Sequence, residues 1–318
     1  MMSTTVQPPA APDADSRWVE FQSRVEAARR KHELNDLQTC LYALVDTRGL
    51  PDLRVALQRL DAIAFEALWD RTDLAAFADV APLLIKVDLG AADTDVPQQL
   101  LKRLWQFSDR EFMLTWIWSP HGLDNLAEHF RSYCEYTLAN RRTFYLHFYD
   151  NRILERLRLT WTAEEWTRFA SVAFEIWYRN RSGEDGSWCA DVLSQPVRNA
   201  EFALTDEQHL MLFSLGYADK VVIQITELCG CLLEHLSPDD LYRTVRTQVE
   251  RATHYGVRDE GDMLQYVAKG LFVSPRFDEH PLIRKGLESA RYGEVPFAEV
   301  LSQVDETLGD GYAGRRAT

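Results

Sequence analysis

Between Thr143 and Leu154 the chain reads TFYLHFYDNRIL. An almost unbroken aromatic and aliphatic run stops at Asp150-Asn151-Arg152, and an amphipathic run follows at once. The pattern predicts a buried strand over 143–149, then a turn, then a helix. Alternation would set Phe144, Leu146 and Phe148 on one face and Tyr145, His147 and Tyr149 on the other, so both faces need a cover. The rest of the first 195 residues reads as the elements that supply it.

Several other segments fit that role. Ser16 to Asp36 has Trp18, Phe21, Val25 and Ala28 at helical period, which predicts a charged helix that docks on something. Strands are expected at Leu41–Asp46, Phe65–Trp69, Pro82–Asp88 and Phe112–Ser119. Helices are expected after Pro51, from Pro97, and from Gly122 to Leu138 with Leu126, Phe130 and Cys134 on one face. Thr162 and Glu165 form a capping box that opens a helix carrying Trp166, Phe169, Ala170, Phe174 and Trp177, and the charged stretch Arg179–Ser187 reads as a loop. Strands alternating with helices predict an α/β (α+β) N-terminal lobe with a mixed, helix-covered sheet.

Beyond residue 200 the strand signal nearly vanishes. Thr205 and Gln208 form a second capping box, opening a long helix with a break at Gly216 or Gly230. Ser237-Pro238-Asp239-Asp240 is a strong helix start, with a stop at Gly256, and further helices are expected near 259–271, 280–290 and 297–308. The expected organisation is a disordered Pro-rich leader over 1–15, a helix over 16–36, the α/β lobe over 37–195, an all-α C-terminal lobe over 200–310 and a disordered tail over 311–318. No solenoid-type repeat is present.

Charge excludes one class of partner. With 49 acidic and 35 basic residues the net charge is −14, and no basic stripe offers itself to nucleic acid. The helical lobe has about twice as many acidic as basic side chains, which suits a basic partner. Five scattered cysteines, Cys40, Cys134, Cys189, Cys229 and Cys231, are no disulfide framework and fit a reducing compartment. The N-terminal residues lack the basic and apolar regions of a signal peptide. Val221–Leu236 is interrupted by polar residues and too short for a bilayer, so no stable membrane association is expected.

The usual chemical motifs are missing. There is no GxGxxG after a strand, no GxxxxGK[ST] and no GxSxG. Cys229, Cys231 and His235 come closest to a metal cluster, but on a helix the two cysteines point about 200° apart, so small core residues are the simpler reading and no metal or other cofactor is expected. His121 and His129 flank a helix without a zincin glutamate, and His147, alone in an aromatic run, reads as packed or hydrogen-bonded. Asp46, Asp88 and Asp150 each close an expected strand. Parallel strands would gather the three at one sheet edge as a catalytic site; otherwise each caps the turn that follows it. Arg152 could pair with one of them.

The order of these segments resembles the type VI secretion effector adaptor family, the Tap or TEC chaperones. The resembling residues are LYALVDT at 41–47, APLLIKVD at 81–88, FMLTWIWSP at 112–120 and above all FYLHFYDNRIL at 144–154, similar to that family's F-R-F-Y-D-P-R-V-L. His147 stands where the family often has Arg, and Asn151 where it often has Pro. FALTDEQ at 202–208 and ATHYGVRDEGDMLQYV with RFDEHP over 252–281 extend the likeness more weakly.

The resemblance implies a non-catalytic adaptor in the bacterial cytoplasm that holds one cognate secreted effector, often by the effector's N-terminal region, and helps load it onto the VgrG spike. The lack of a catalytic constellation agrees, and a cleft between the two lobes would grip the effector segment. Partner contacts are expected at Trp116, Trp118, Tyr145, Tyr149 and Arg152, which combine aromatic area with a strand edge, while Asp46, Asp88 and Asp150 are expected to be structural. Two alternatives stay open: an enzyme with a carboxylate site at Asp46, Asp88 and Asp150, and an immunity protein that neutralises a toxin.

Overall fold

The computed structural model describes residues 14–34, 38–60, 62–89, 95–109, 111–181, 183–190, 192–197 and 201–312. Of the expected leader and tail, residues 1–13 and 313–318 lie outside the described residues, and so do 198–199 of the Gln195–Asn199 stretch read as a linker. The chain divides into two units after Gln208.

In the first unit the elements run α1 (Ala14–Leu34), β1 (Cys40–Val45), α2 (Leu53–Gln58), β2 (Phe65–Ala67), β3 (Leu83–Val87), α3 (Asp95–Ser108), β4 (Leu114–Ser119), α4 (Leu123–Arg131), β5 (Glu135–Thr137), β6 (Thr143–Tyr145), α5 (Asn151–Thr160), α6 (Ala163–Ala170), β7 (Glu175–Arg179) and β8 (Asp185–Cys189). Six strands form one sheet in the order β2-β3-β1-β4-β7-β8. The helix-covered sheet matches the expected class, but it is antiparallel throughout rather than mixed. Strands β3 and β4 are joined through α3 and run the same way, yet β1 lies between them, antiparallel to both. A helical crossover therefore links parallel strands that are not neighbours, so the strand-helix alternation suggested parallel pairing.

One sheet face carries Trp116, Trp118 and Trp177 at alternate positions. Helix α1 covers it with Trp18, Phe21, Val25 and Ala28, all buried. Phe21 lies 5.1 Å from Trp116 and Trp18 lies 5.2 Å from Trp105 of α3, which answers what the N-terminal helix docks on. The other side holds an aromatic cluster in which Phe130 of α4, Phe148 and Phe169 of α6 stand 5.4–5.9 Å apart. The expected capping box of α6 is present: Thr162 Oγ1 accepts the Glu165 N–H at 3.2 Å, and Glu165 accepts the Thr162 N–H at 2.8 Å. Thr162→Ala should cost about 1 kcal/mol, read as a lower urea midpoint followed by tryptophan fluorescence.

The structure corrects further sequence-based expectations. The strand expected over 143–149 is only β6, which pairs with β5 in a separate ribbon. One last rung continues that register, the Leu146 N–H bonding Cys134 O at 2.8 Å, and Phe148 and Tyr149 beyond it are buried outside any strand. The helix expected over Gly122–Leu138 stops at Arg131, where Ser132 caps it and β5 follows. Phe174 and Trp177 are not helical: Trp177 lies in β7, which Phe174 just precedes, and β8 begins inside the stretch Arg179–Ser187 expected as a loop, so both strands extend the main sheet.

The second unit is wholly helical among its described residues, as expected: α7 (Asp206–Leu233), α8 (Pro238–His254), α9 (Glu260–Phe272), α10 (Pro281–Arg291), α11 (Phe297–Ser302) and α12 (Val304–Tyr312). α7 breaks at Cys229 (φ −137°, ψ 21°), beside Gly230. Ser237 Oγ accepts the Asp240 N–H at 3.1 Å and Pro238 takes the first helical position of α8. Gly256 ends that stretch at φ +84°, a left-handed conformation that glycine adopts without strain. Val245, Ala252, Tyr266, Val267, Phe277, Leu287 and Leu301 form its core.

Candidate functional site

Two turns of the same Asp-x-Arg pattern meet at one end of the central strands. Asp46-Thr47-Arg48 follows β1 and Asp150-Asn151-Arg152 opens α5. In each, the aspartate accepts the arginine's backbone N–H, at 3.1 Å for Asp46 and 3.0 Å for Asp150. Each arginine then folds back onto the same carboxylate: Arg48 Nε lies 2.9 and 3.0 Å from the Asp46 oxygens, and Arg152 gives Nε at 2.9 Å and Nη2 at 2.7 Å to Asp150. Arg48 Nη2 also bonds Asp46 and reaches Asp150 Oδ2 at 3.4 Å, joining the turns.

The residues just before β4 hold both turns in place. Met113 O accepts the Asp46 N–H at 2.9 Å, and Phe112 O accepts the Asn151 N–H at 2.7 Å. Asn151, 1% exposed, donates Nδ2 to Leu114 O at 3.0 Å and Arg179 O at 3.2 Å and accepts Thr115 Oγ1–H at 2.8 Å. Where the resembling family often has proline, this side chain ties α5 to β4 and β7, and proline would lack the N–H given to Phe112.

Burial alone would raise the Asp150 carboxyl, but its hydrogen bonds to Arg152 and the charges of Arg152 and Arg48 hold it below the ordinary value. Hydrogen bonding to the carboxylates raises both guanidiniums further. His147 is lowered, first by burial and then by Arg48, and its Nδ1 stands 2.7 Å from the Tyr149 hydroxyl, which burial pushes up. The Asp150 carboxylate is thus an anchor rather than a proton carrier, since a general acid or base needs a pKa near the working pH. The carboxylates are buried, while the side chains of Arg48 and Arg152, each held by its carboxylate, remain 40% and 28% exposed.

The structure brings Asp46, Asp150 and Arg152 together. It puts Asp88 at the opposite end of the sheet, because Leu41 faces Val87 and Val45 faces Leu83 across the β1–β3 pair. The shared edge of three carboxylates imagined for an enzyme does not form, since its premise of parallel strands is absent. Trp116 and Trp118 lie under α1 and Tyr149 is buried beside the turn; of the five expected contact residues, Tyr145 (51% exposed) and Arg152 reach the surface. Arg48 is the member sequence reasoning missed, although the repeated Asp-x-Arg spacing was there to be read.

Of the other histidine candidates, His129 is structural. His129 Nε2 lies 2.9 Å from Phe169 O and its Nδ1 accepts the Val197 N–H at 3.0 Å, so the ring is a neutral cross-brace that burial pushes down to about 4. Among the described residues, no three His, Cys, Asp or Glu side chains converge to hold a metal ion.

Residues 41–168 match the family model described as Domain of unknown function (DUF4123). That span runs from β1 into α6 and contains both Asp-x-Arg turns. No curated protein and no solved structure matches the chain.

Proposed function

We propose that this protein is a non-catalytic adaptor that binds one cognate type VI secretion effector, through the effector's N-terminal region, and assists its loading onto the VgrG spike. The observation that carries the reading is the match over residues 41–168, since that domain is associated with type VI secretion effector adaptors. The geometry supports it: the paired turns set charge rigidly at a surface, and their carboxylates are neutralised in place. Among the described residues no helix is long and apolar enough to cross a membrane, so a role beside the membrane-spanning apparatus would be that of a docked partner.

Co-expression with the inactivated product of the effector gene encoded nearby should give a complex that survives affinity purification. Deleting the adaptor gene should abolish secretion of that effector while leaving spike secretion intact. Failure to co-purify together with undiminished effector secretion would sink the proposal. Protection of a sensitive cell by this protein alone, through binding of the toxin's catalytic domain, would make it an immunity protein instead.

A further inference from the structure

The six-stranded sheet ends differently on its two sides. At the β2 edge, Arg131 donates Nη2 at 3.3 Å to the carbonyl of Ala67, the last residue of a three-residue strand, and Nε at 2.9 Å to Leu68 O just beyond it. At the β8 edge no strand follows among the described residues. The direction of its free groups follows from the ladder. Ala190 N–H bonds Phe174 O at 3.1 Å and Asn180 N–H bonds Glu184 O at 2.8 Å. By alternation, Ile176↔Trp188 and Tyr178↔Gly186 are the hydrogen-bonded pairs. Asp185 and Ser187 fall in the other pairs, so their N–H and C=O groups point away from β7.

Natural sheets blunt an open edge with lysine, proline, a bulge or a covering element. The strand DGSWC has neither lysine nor proline, and the acid of Asp185 is held by Arg24 Nη1 at 2.8 Å. We propose that this edge is a docking site for an extended segment of a partner protein, which adds to the sheet as a further strand beyond β8.

The flanks define the segment. On one face Trp188 is half-buried, edge-on to Trp166 at 6.4 Å, and Gly186 lets the Tyr178 ring lie across the backbone, where a Cβ would stand 2.7 Å from that ring. On the other face Asp185 meets Arg24, which itself lies 4.1 Å over Trp177. The occupant therefore alternates apolar residues toward Trp188 with polar or charged ones toward the Arg24–Asp185 pair. A second copy of this chain is the poorer occupant: five residues span about 17 Å, and pairing two such edges buries far less than the roughly 1,000 Å² a stable dimer needs. The assignment rests on the adaptor reading for the partner's identity, the secreted effector.

The test uses the full chain co-expressed with the inactivated effector encoded nearby. Ser187→Pro removes one outward N–H without touching the β7–β8 bonds and should weaken the complex at least tenfold, while Ser187→Ala should leave it unchanged. Independently of any variant, exchange of the Asp185 and Ser187 amides should slow at least tenfold in the complex. A wild-type complex that Ser187→Pro leaves intact, or in which those amides exchange as in the free chain, overturns the edge assignment and leaves the adaptor reading standing. Absence of any wild-type complex removes both. If Ser187→Pro does not fold, the wild-type exchange measurement decides. Amides already protected in a free dimer that Ser187→Pro dissociates would show a second copy to be the occupant, and overturn it as well.

Discussion

Asp150→Ala should lower the unfolding free energy of the first unit by about 3 kcal/mol, the lower end of the range for breaking a buried ion pair. The carboxylate is 3% exposed and serves two arginines and the first turn of α5 at once. Its removal leaves the Arg152 guanidinium without its partner and the Arg152 N–H without its cap, whose loss alone costs about 1 kcal/mol. The partial exposure of both arginines, which lets water recover part of their solvation, keeps the figure at the lower end. Asp150→Asn keeps an acceptor for the cap and should lose less. Urea unfolding followed by tryptophan fluorescence reads the difference; a loss below about 1 kcal/mol would mean that the two turns stand without each other.

The second large effect is with pH. His129 is held down to about 4 by burial, whereas in the unfolded chain it titrates near the ordinary 6.5. Between those values the unfolded state binds more protons than the native one, so stability falls as pH falls through 6.5 and levels off below about 4. The window corresponds to about 3 kcal/mol. Burial also lowers His32 and His147, which adds loss in the same direction. Asp150 acts later: its stabilisation is complete above the ordinary aspartate value of 3.8 and is lost only as pH drops through its lower folded value. The urea midpoint should therefore decline already between pH 6.5 and 4.5, and His129→Gln, which keeps a donor and an acceptor, should flatten part of that decline. An unchanged midpoint across the window would contradict the neutral cross-brace assigned to His129.

What the sequence made legible was local. The strands β1, β3 and β4 are short apolar runs between turn residues, and the caps at Thr162 and Ser237 lie three residues from their partners. β7 was hidden because Phe174 and Trp177 continue the spacing of Trp166, Phe169 and Ala170 in α6, so one periodicity covered two elements. The run at 143–149 misled in the opposite way, since aromatic density there reflects packing between α4 and α6 instead of a pleat. The union of the Asp-x-Arg turns depends on β1 lying beside β4, and no pattern within either turn encodes strand order.

The borders of the matched span differ from the borders set by burial. Residues 41–168 omit α1, β7 and β8, yet α1 covers Trp116 and Trp118, and β7 supplies both the pairing edge of β4 and the Arg179 carbonyl that Asn151 holds. A fragment cut at those borders would present two tryptophans and an open strand to water. The matched span of this chain is thus not autonomous: its core depends for closure on flanking elements that lie outside the span.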